Sequence, residues 1–142
     1  MRNLSRALIS YEMLGNKSSE AKTRAAFHAS EKLRPHLATL MGNTGFRALQ
    51  SRALTLANPE VPWLSAVQVK ADGSLEGLEA LHAQLSPAEF YEGGVVLLAR
   101  LLGLLATFIG ENLTTRIVRD VWPKLPLSDL DFGNGGKNEK AK

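Results

Sequence analysis

Three histidines and the absence of cysteine limit the chemistry available to this chain of 142 residues. His28 precedes Lys32 by one helical turn, an arrangement in which an imidazole accepts a phosphoryl group beside a cation that steadies it. Phosphotransfer domains of this kind place a glycine soon after that stretch, whereas residues 33–35 here read Leu-Arg-Pro. We therefore interpret His28 and Lys32 as residues of a solvated helix surface.

Other catalytic and metal-binding patterns are missing from the sequence. His28 and His36 are eight residues apart, about two helical turns, which is too far for them to share a metal ion. No Gly-x-Ser-x-Gly elbow occurs, and the glycine-rich residues 133–136 lack the strand–loop–helix context of a phosphate-binding loop. We expect a non-enzymatic protein with no catalytic residues, no metal and no cofactor.

Charge is distributed unevenly along the chain. Residues 1–57 carry nine Lys and Arg against three acids, whereas residues 60–92 carry six acids against Lys70 alone. Phosphate contacts dominate nonspecific affinity for nucleic acid, so the basic helices of residues 20–57 make nucleic acid one candidate partner. The opposite charges of the two regions equally indicate that the regions face each other. The candidate basic surface consists of Arg24, Lys32, Arg34, Arg47 and Arg52.

The run from Gly93 to Gly110 is apolar almost all the way round a helix. Its apolar core, residues 95–109, is shorter than the roughly 20 residues of a spanning helix and contains Arg100, so we expect no membrane span. The absence of cysteine and of a signal peptide predicts a cytoplasmic protein.

A stripe of small residues along this run predicts close approach of another helix, and an exposed apolar stripe is typical of an interface. We therefore expect a homodimer. Its predicted interface consists of Leu98, Ala99, Leu102, Gly103, Leu105, Ala106, Ile109 and Gly110.

Two charged residues interrupt or flank the apolar run. A buried arginine needs an ion-pair partner, so we expect Arg100 to meet an acid from residues 76–92 or from a second subunit. Arg100 and Glu111 also form a candidate polar or ligand site, which makes binding of a small apolar ligand a further hypothesis.

Periodicity and capping residues predict the elements of the first half. Apolar residues at helical spacing predict a helix over residues 3–14, and Ser18 and Ser19 are suitable N-caps for a second helix from about Glu20. Pro35 is expected to kink or end that helix. A continuation to residue 41 precedes Gly42, which ends it, and a third helix is expected over residues 44–57.

In the second half, alternating residues predict a β-hairpin near residues 67–76, followed by a short helix over 78–85. Ser86, Pro87 and Glu89 form a capping-box signature that opens a helix predicted to run from 87 to 122. Leucines and a phenylalanine in residues 125–132 predict an extended segment that docks onto a groove. We expect residues 133–142 to be a disordered tail.

The sequence thus predicts an all-α bundle of about five helices around one long C-terminal helix, with a small hairpin, in a single domain over residues 1–132. The first hypothesis for its function is a homo-oligomeric interaction or regulatory module that binds another protein. Nucleic-acid binding and binding of a small apolar ligand are the alternatives. No motif in the chain is specific to a known family.

Overall fold

The computed structural model of the protein describes residues 2–13 and 19–123. Within these residues the chain is all-α with one small hairpin, which confirms the predicted fold class. The elements are α1 (Arg2–Met13), α2 (Ser19–Ala57), a 3-10 turn (Pro62–Ala66), β1 (Gln68–Val69), β2 (Leu75–Glu76), α3 (Leu78–Gln84), α4 (Pro87–Ile109) and α5 (Glu111–Val121). The predicted extended segment over 125–132 and the predicted disordered tail over 133–142 lie outside the described residues.

Helix α4 is the centre of the core, in contact with α1, α2 and α5. Its apolar run is buried over most of its circumference because helices cover it on several sides. Polar groups also join α4 to α1. The hydroxyl of Ser5 donates to the carbonyl oxygen of Val95 at 3.0 Å, and Arg6 pairs with Glu92 at 3.2 Å.

Helix α2 continues through Pro35 and does not end there. A proline inside a helix costs about 3 kcal/mol because it removes one hydrogen bond and crowds the preceding turn. Leu33 and Leu37, on either side of it, are fully buried, and their packing in the core offsets that cost. The predicted interruption at Gly42 is confirmed, since this residue has φ 81° and ψ 161° between two helical stretches.

The predicted hairpin is also present and lies against α2. Gln68 pairs with Glu76 and Val69 with Leu75 in an antiparallel register. At its turn, Gly73 has φ 89° and its α-carbon lies so close to the Phe46 ring that a β-carbon would meet the ring at 2.3 Å. An isolated two-stranded hairpin is marginal in water, so this contact with the core holds it in place.

Helix α4 begins at the predicted capping box. The Ser86 hydroxyl accepts from the Glu89 amide at 3.1 Å, and the Glu89 carboxylate accepts from the Ser86 amide at 3.0 Å. The predicted extent of this helix, from 87 to 122, is wrong, because the chain breaks at Gly110 with φ 89° and ψ 157°. A straight continuation would carry residues 111–121 about 16 Å away from the bundle. The break lets α5 bury Ile117, Val118 and the following Trp122.

Candidate functional site

A groove of about 580 Å³ lies between α4 and the end of α2. One wall comes from α4, and the other comes from the end of α2 and the loop that follows it. The groove is lined by Leu56, Glu60, Val96, Ala99, Arg100, Gly103, Leu104 and Thr107. Its surface combines aliphatic side chains with the polar groups of Glu60, Arg100 and Thr107.

Gly103 leaves the helix backbone open at the middle of the groove. A β-carbon placed there would have no heavy atom within 4 Å. The carbonyl oxygen of Gly103 accepts from the Thr107 hydroxyl at 3.0 Å, so the polar backbone atom exposed by the missing side chain is satisfied within the helix. Another backbone could therefore approach this site closely without leaving that carbonyl unpaired.

Phe108 stands beside the groove as an exposed aromatic side chain. It is 66% exposed, and with Leu40 it makes up the exposed large hydrophobic residues among those described. Leu104 precedes it by one helical turn and is partly buried against the core. The two side chains together form an apolar ridge next to the open backbone of Gly103.

An ion pair closes one side of the groove. Arg100 donates through its Nε to the Glu60 carboxylate at 3.0 Å and through a terminal nitrogen to the same oxygen. Neither an acid of residues 76–92 nor a second subunit is needed for this pairing, so the predicted partner of Arg100 is wrong. Because the Arg100 side chain is 45% exposed, water screens the pair and its contribution to stability is about 0–1 kcal/mol.

The structure separates the residues of the predicted interface into four groups. Ala99 and Gly103 line the groove, and Ala106 and Ile109 are partly buried. Leu98, Leu102 and Leu105 are fully buried in the core of the chain and are not available to a partner, because that face of α4 packs against its neighbouring helices. Gly110 is the break between α4 and α5.

The other predicted site residues do not lie together in a single site. Glu111 begins α5 and does not line the groove, so the structure does not bring it together with Arg100 there. Lys32, Arg47 and Arg52 are exposed along α2, and the side chain of Arg24 lies outside what the structure describes. Arg34 binds Glu31 at 3.0 Å and approaches Asp72 at 3.8 Å. The two stretches of α2 meet at one residue, not at the three- or four-residue turn of a helix-turn-helix.

Hydrogen bonds shift the pKa values of Arg34 and Asp72. The hydrogen bond to Glu31 raises the pKa of Arg34 above its ordinary value. The hydroxyl and the amide of Ser74 both donate to Asp72, which lowers the pKa of that carboxyl, and Arg34 adds a smaller effect in the same direction. Both shifts keep the Arg34–Asp72 pair charged, so Arg34 is engaged within the chain.

The histidines take different positions. His28 and His36 are exposed on α2, and His82 lies against Phe90 with the ring centroids 4.8 Å apart. In the described ranges 2–13 and 19–123, no three His, Asp or Glu residues group as metal ligands would.

By length and composition alone, α4 could cross a membrane. Its 23 residues are predominantly apolar, and 56% of the qualifying stretch is buried inside the structure. The core helix of a soluble protein meets the same criterion, so this property is weak evidence for a span.

The sequence patterns did not predict which residues form the wall of the groove opposite α4. Leu56 and Glu60 lie about 40 residues before the α4 residues they face, and neither belongs to a recognisable motif. Their place depends on how α2 packs against α4.

Comparisons with models of protein families, with curated proteins and with solved structures found no match.

Proposed function

We propose that this protein is a non-enzymatic helical interaction module that self-associates through the groove on α4. The observation that supports this most directly is the combination of an open groove at Gly103 with the exposed Phe108 beside it. Contiguous apolar surface of this kind on a soluble chain is typical of an interface. A two-fold interface uses the same patch on both copies, so the patch must offer both a projection and a recess.

The spacing of residues along α4 provides a projection and a recess that match when two copies of the helix pair. If two copies cross antiparallel at Gly103, a residue a given number of positions after it faces the residue the same number before it. Thr107 of one copy then lies beside Ala99 of the other, and Phe108 lies at the level of Leu98, whose own side chain is buried in the core. Small residues at the crossing allow interaxial distances near the lower limit of about 8 Å.

The charges that line the groove also favour a second copy of this chain as the partner. Among the described residues, the charged groups that line the groove are Arg100 and Glu60, and they neutralise each other within one copy. A second copy therefore brings an electrically neutral face. A nucleic acid would need unpaired cations in the groove, because its affinity depends on phosphate neutralisation.

The test is the solution mass of the full chain over a range of concentrations, measured by light scattering coupled to size-exclusion chromatography. Gly103→Leu fills the groove with a side chain that the isolated fold has room for, so the variant is expected to remain folded and to become monomeric. Phe108→Ala removes the projecting ring and is expected to weaken the dimer at least tenfold.

Ala88→Leu provides the matched control, because Ala88 is exposed on the same helix and outside the groove. This variant is expected to dimerise as the wild type does. A wild-type protein that is monomeric at every concentration, or a folded Gly103→Leu variant that dimerises normally, would contradict the proposal.

A further inference from the structure

Arg100 lines the groove that the proposed dimer covers, and Phe108 projects beside it. We infer that the Arg100 guanidinium of each copy binds the Phe108 ring of the other copy, in two cation–π contacts that fix the antiparallel arrangement. This inference rests on the proposed self-association and names the residue pair that specifies it. The Arg100 side chain is 45% exposed and Phe108 is 66% exposed, so a second copy can reach both.

Arg100 and Phe108 lie on the same side of α4 relative to Gly103. At 3.6 residues per turn, they lie about 60° and about 140° around the helix axis from Gly103, in the same direction. Two antiparallel copies that cross at Gly103 are related by a two-fold axis perpendicular to the plane that contains both helices. This symmetry places the same side of each helix together, so Arg100 of one copy and Phe108 of the other lie on one side of the interface.

The two side chains also lie at nearly the same height along the paired helices. Phe108 of one copy is level with Leu98 of the other, and Arg100 is two residues, or about 3 Å, from that level. Side chains on a helix lean toward its N-terminus. Because the paired helices run in opposite directions, Phe108 of one copy and Arg100 of the other lean toward each other.

Glu60 holds the Arg100 guanidinium in a suitable orientation. The Nε of Arg100 and one terminal nitrogen both donate to the same Glu60 carboxylate oxygen, the first at 3.0 Å. These hydrogen bonds lie at the edge of the planar group and leave its face free to stack on an aromatic ring. Arginine makes cation–π contacts more often than lysine does. Glu60 is therefore a positioning residue, and the Arg100 face is the surface that the ring contacts.

The test is a double-mutant cycle on the dimer dissociation constant of the full chain, measured by sedimentation equilibrium. Arg100→Gln and Phe108→Leu are each expected to weaken the dimer at least about fivefold, because every dimer contains two of the contacts. The double variant is expected to be at most about twofold weaker than either single variant, because both substitutions remove the same contact. Within one chain the two residues are about 12 Å apart along α4, so coupling of this size arises between copies.

Arg116→Gln is the matched control, because Arg116 is exposed on α5 and outside the groove, and it is expected to leave the dissociation constant unchanged. The thermal midpoints of all variants, measured on monomers at high dilution, are expected to match that of the wild type. A wild-type dimer that Gly103→Leu dissociates, but in which Arg100→Gln has no effect or acts independently of Phe108→Leu, would overturn this inference and leave the proposed self-association in place. A monomeric wild-type chain would overturn both.

Discussion

Two glycines of α4 illustrate how the same residue type serves opposite purposes. Gly93 lies under the indole ring of Trp63, which stacks on Phe90 with the ring centroids 5.8 Å apart. A β-carbon on Gly93 would come within 2.2 Å of that ring, whereas one on Gly103 would meet nothing within 4 Å. The first glycine allows close packing inside the core, and the second leaves an open surface.

This contrast predicts that replacing glycine with alanine changes the free energy of unfolding differently at the two positions. Gly93→Ala should destabilise the fold by about 1–3 kcal/mol, because the cost of moving a stacked indole exceeds the gain of up to about 1 kcal/mol in helix propensity. Gly103→Ala, compared with the wild type at concentrations where both are monomeric, should leave the free energy of unfolding unchanged or raise it slightly. Urea denaturation of both variants measures the difference, and equal stabilities would contradict the packing argument.

At the scale of elements, Gly110 decides the path of the second half of the chain. Its φ of 89° lies in a region that residues with a side chain rarely adopt, although a β-carbon there would touch nothing. The cost of replacing it is therefore one of backbone conformation and not of steric overlap.

Gly110→Ala is accordingly expected to reduce the free energy of unfolding by about 1–2 kcal/mol. Urea denaturation followed by circular dichroism gives the value. If the helical content rises instead, with no loss of stability, α4 and α5 have merged and the break is not required by the fold. Asn43→Ala, at an exposed position beside the Gly42 interruption, serves as a control for substitution near a helix break.

At the scale of the whole molecule, one long apolar helix is covered on most but not all of its circumference. Helices α1, α2 and α5 bury the leucines of the core face, and the remaining face contains the groove and Phe108. The proposed self-association covers that face and links dimerisation to folding, because only the folded chain presents the groove.

Linkage of this kind predicts that the thermal midpoint of the wild-type protein rises with protein concentration. The midpoint of Gly103→Leu should not depend on concentration, because that variant unfolds as a monomer. Differential scanning calorimetry over a hundredfold range of concentration distinguishes the two. A wild-type midpoint that does not change would argue against a dimer coupled to folding.

Local signals in the sequence determined the elements with short-range causes. The capping box at Ser86 and Glu89, the interruption at Gly42, the hairpin and the short α3 all follow from neighbouring residues and were predicted correctly. Each depends on hydrogen bonds or backbone dihedral angles that a few adjacent residues define.

Tertiary packing determined the features of the fold that these local signals did not predict. Helix α2 continues through Pro35 because buried leucines on both sides offset a local cost, and the helix predicted over 87–122 breaks at Gly110 because α5 gains burial by turning back. The pairing of Arg100 with Glu60, 40 residues away, has no local cause. Such outcomes depend on which surfaces meet after the chain has folded, and the spacing of residues along one helix does not contain that information.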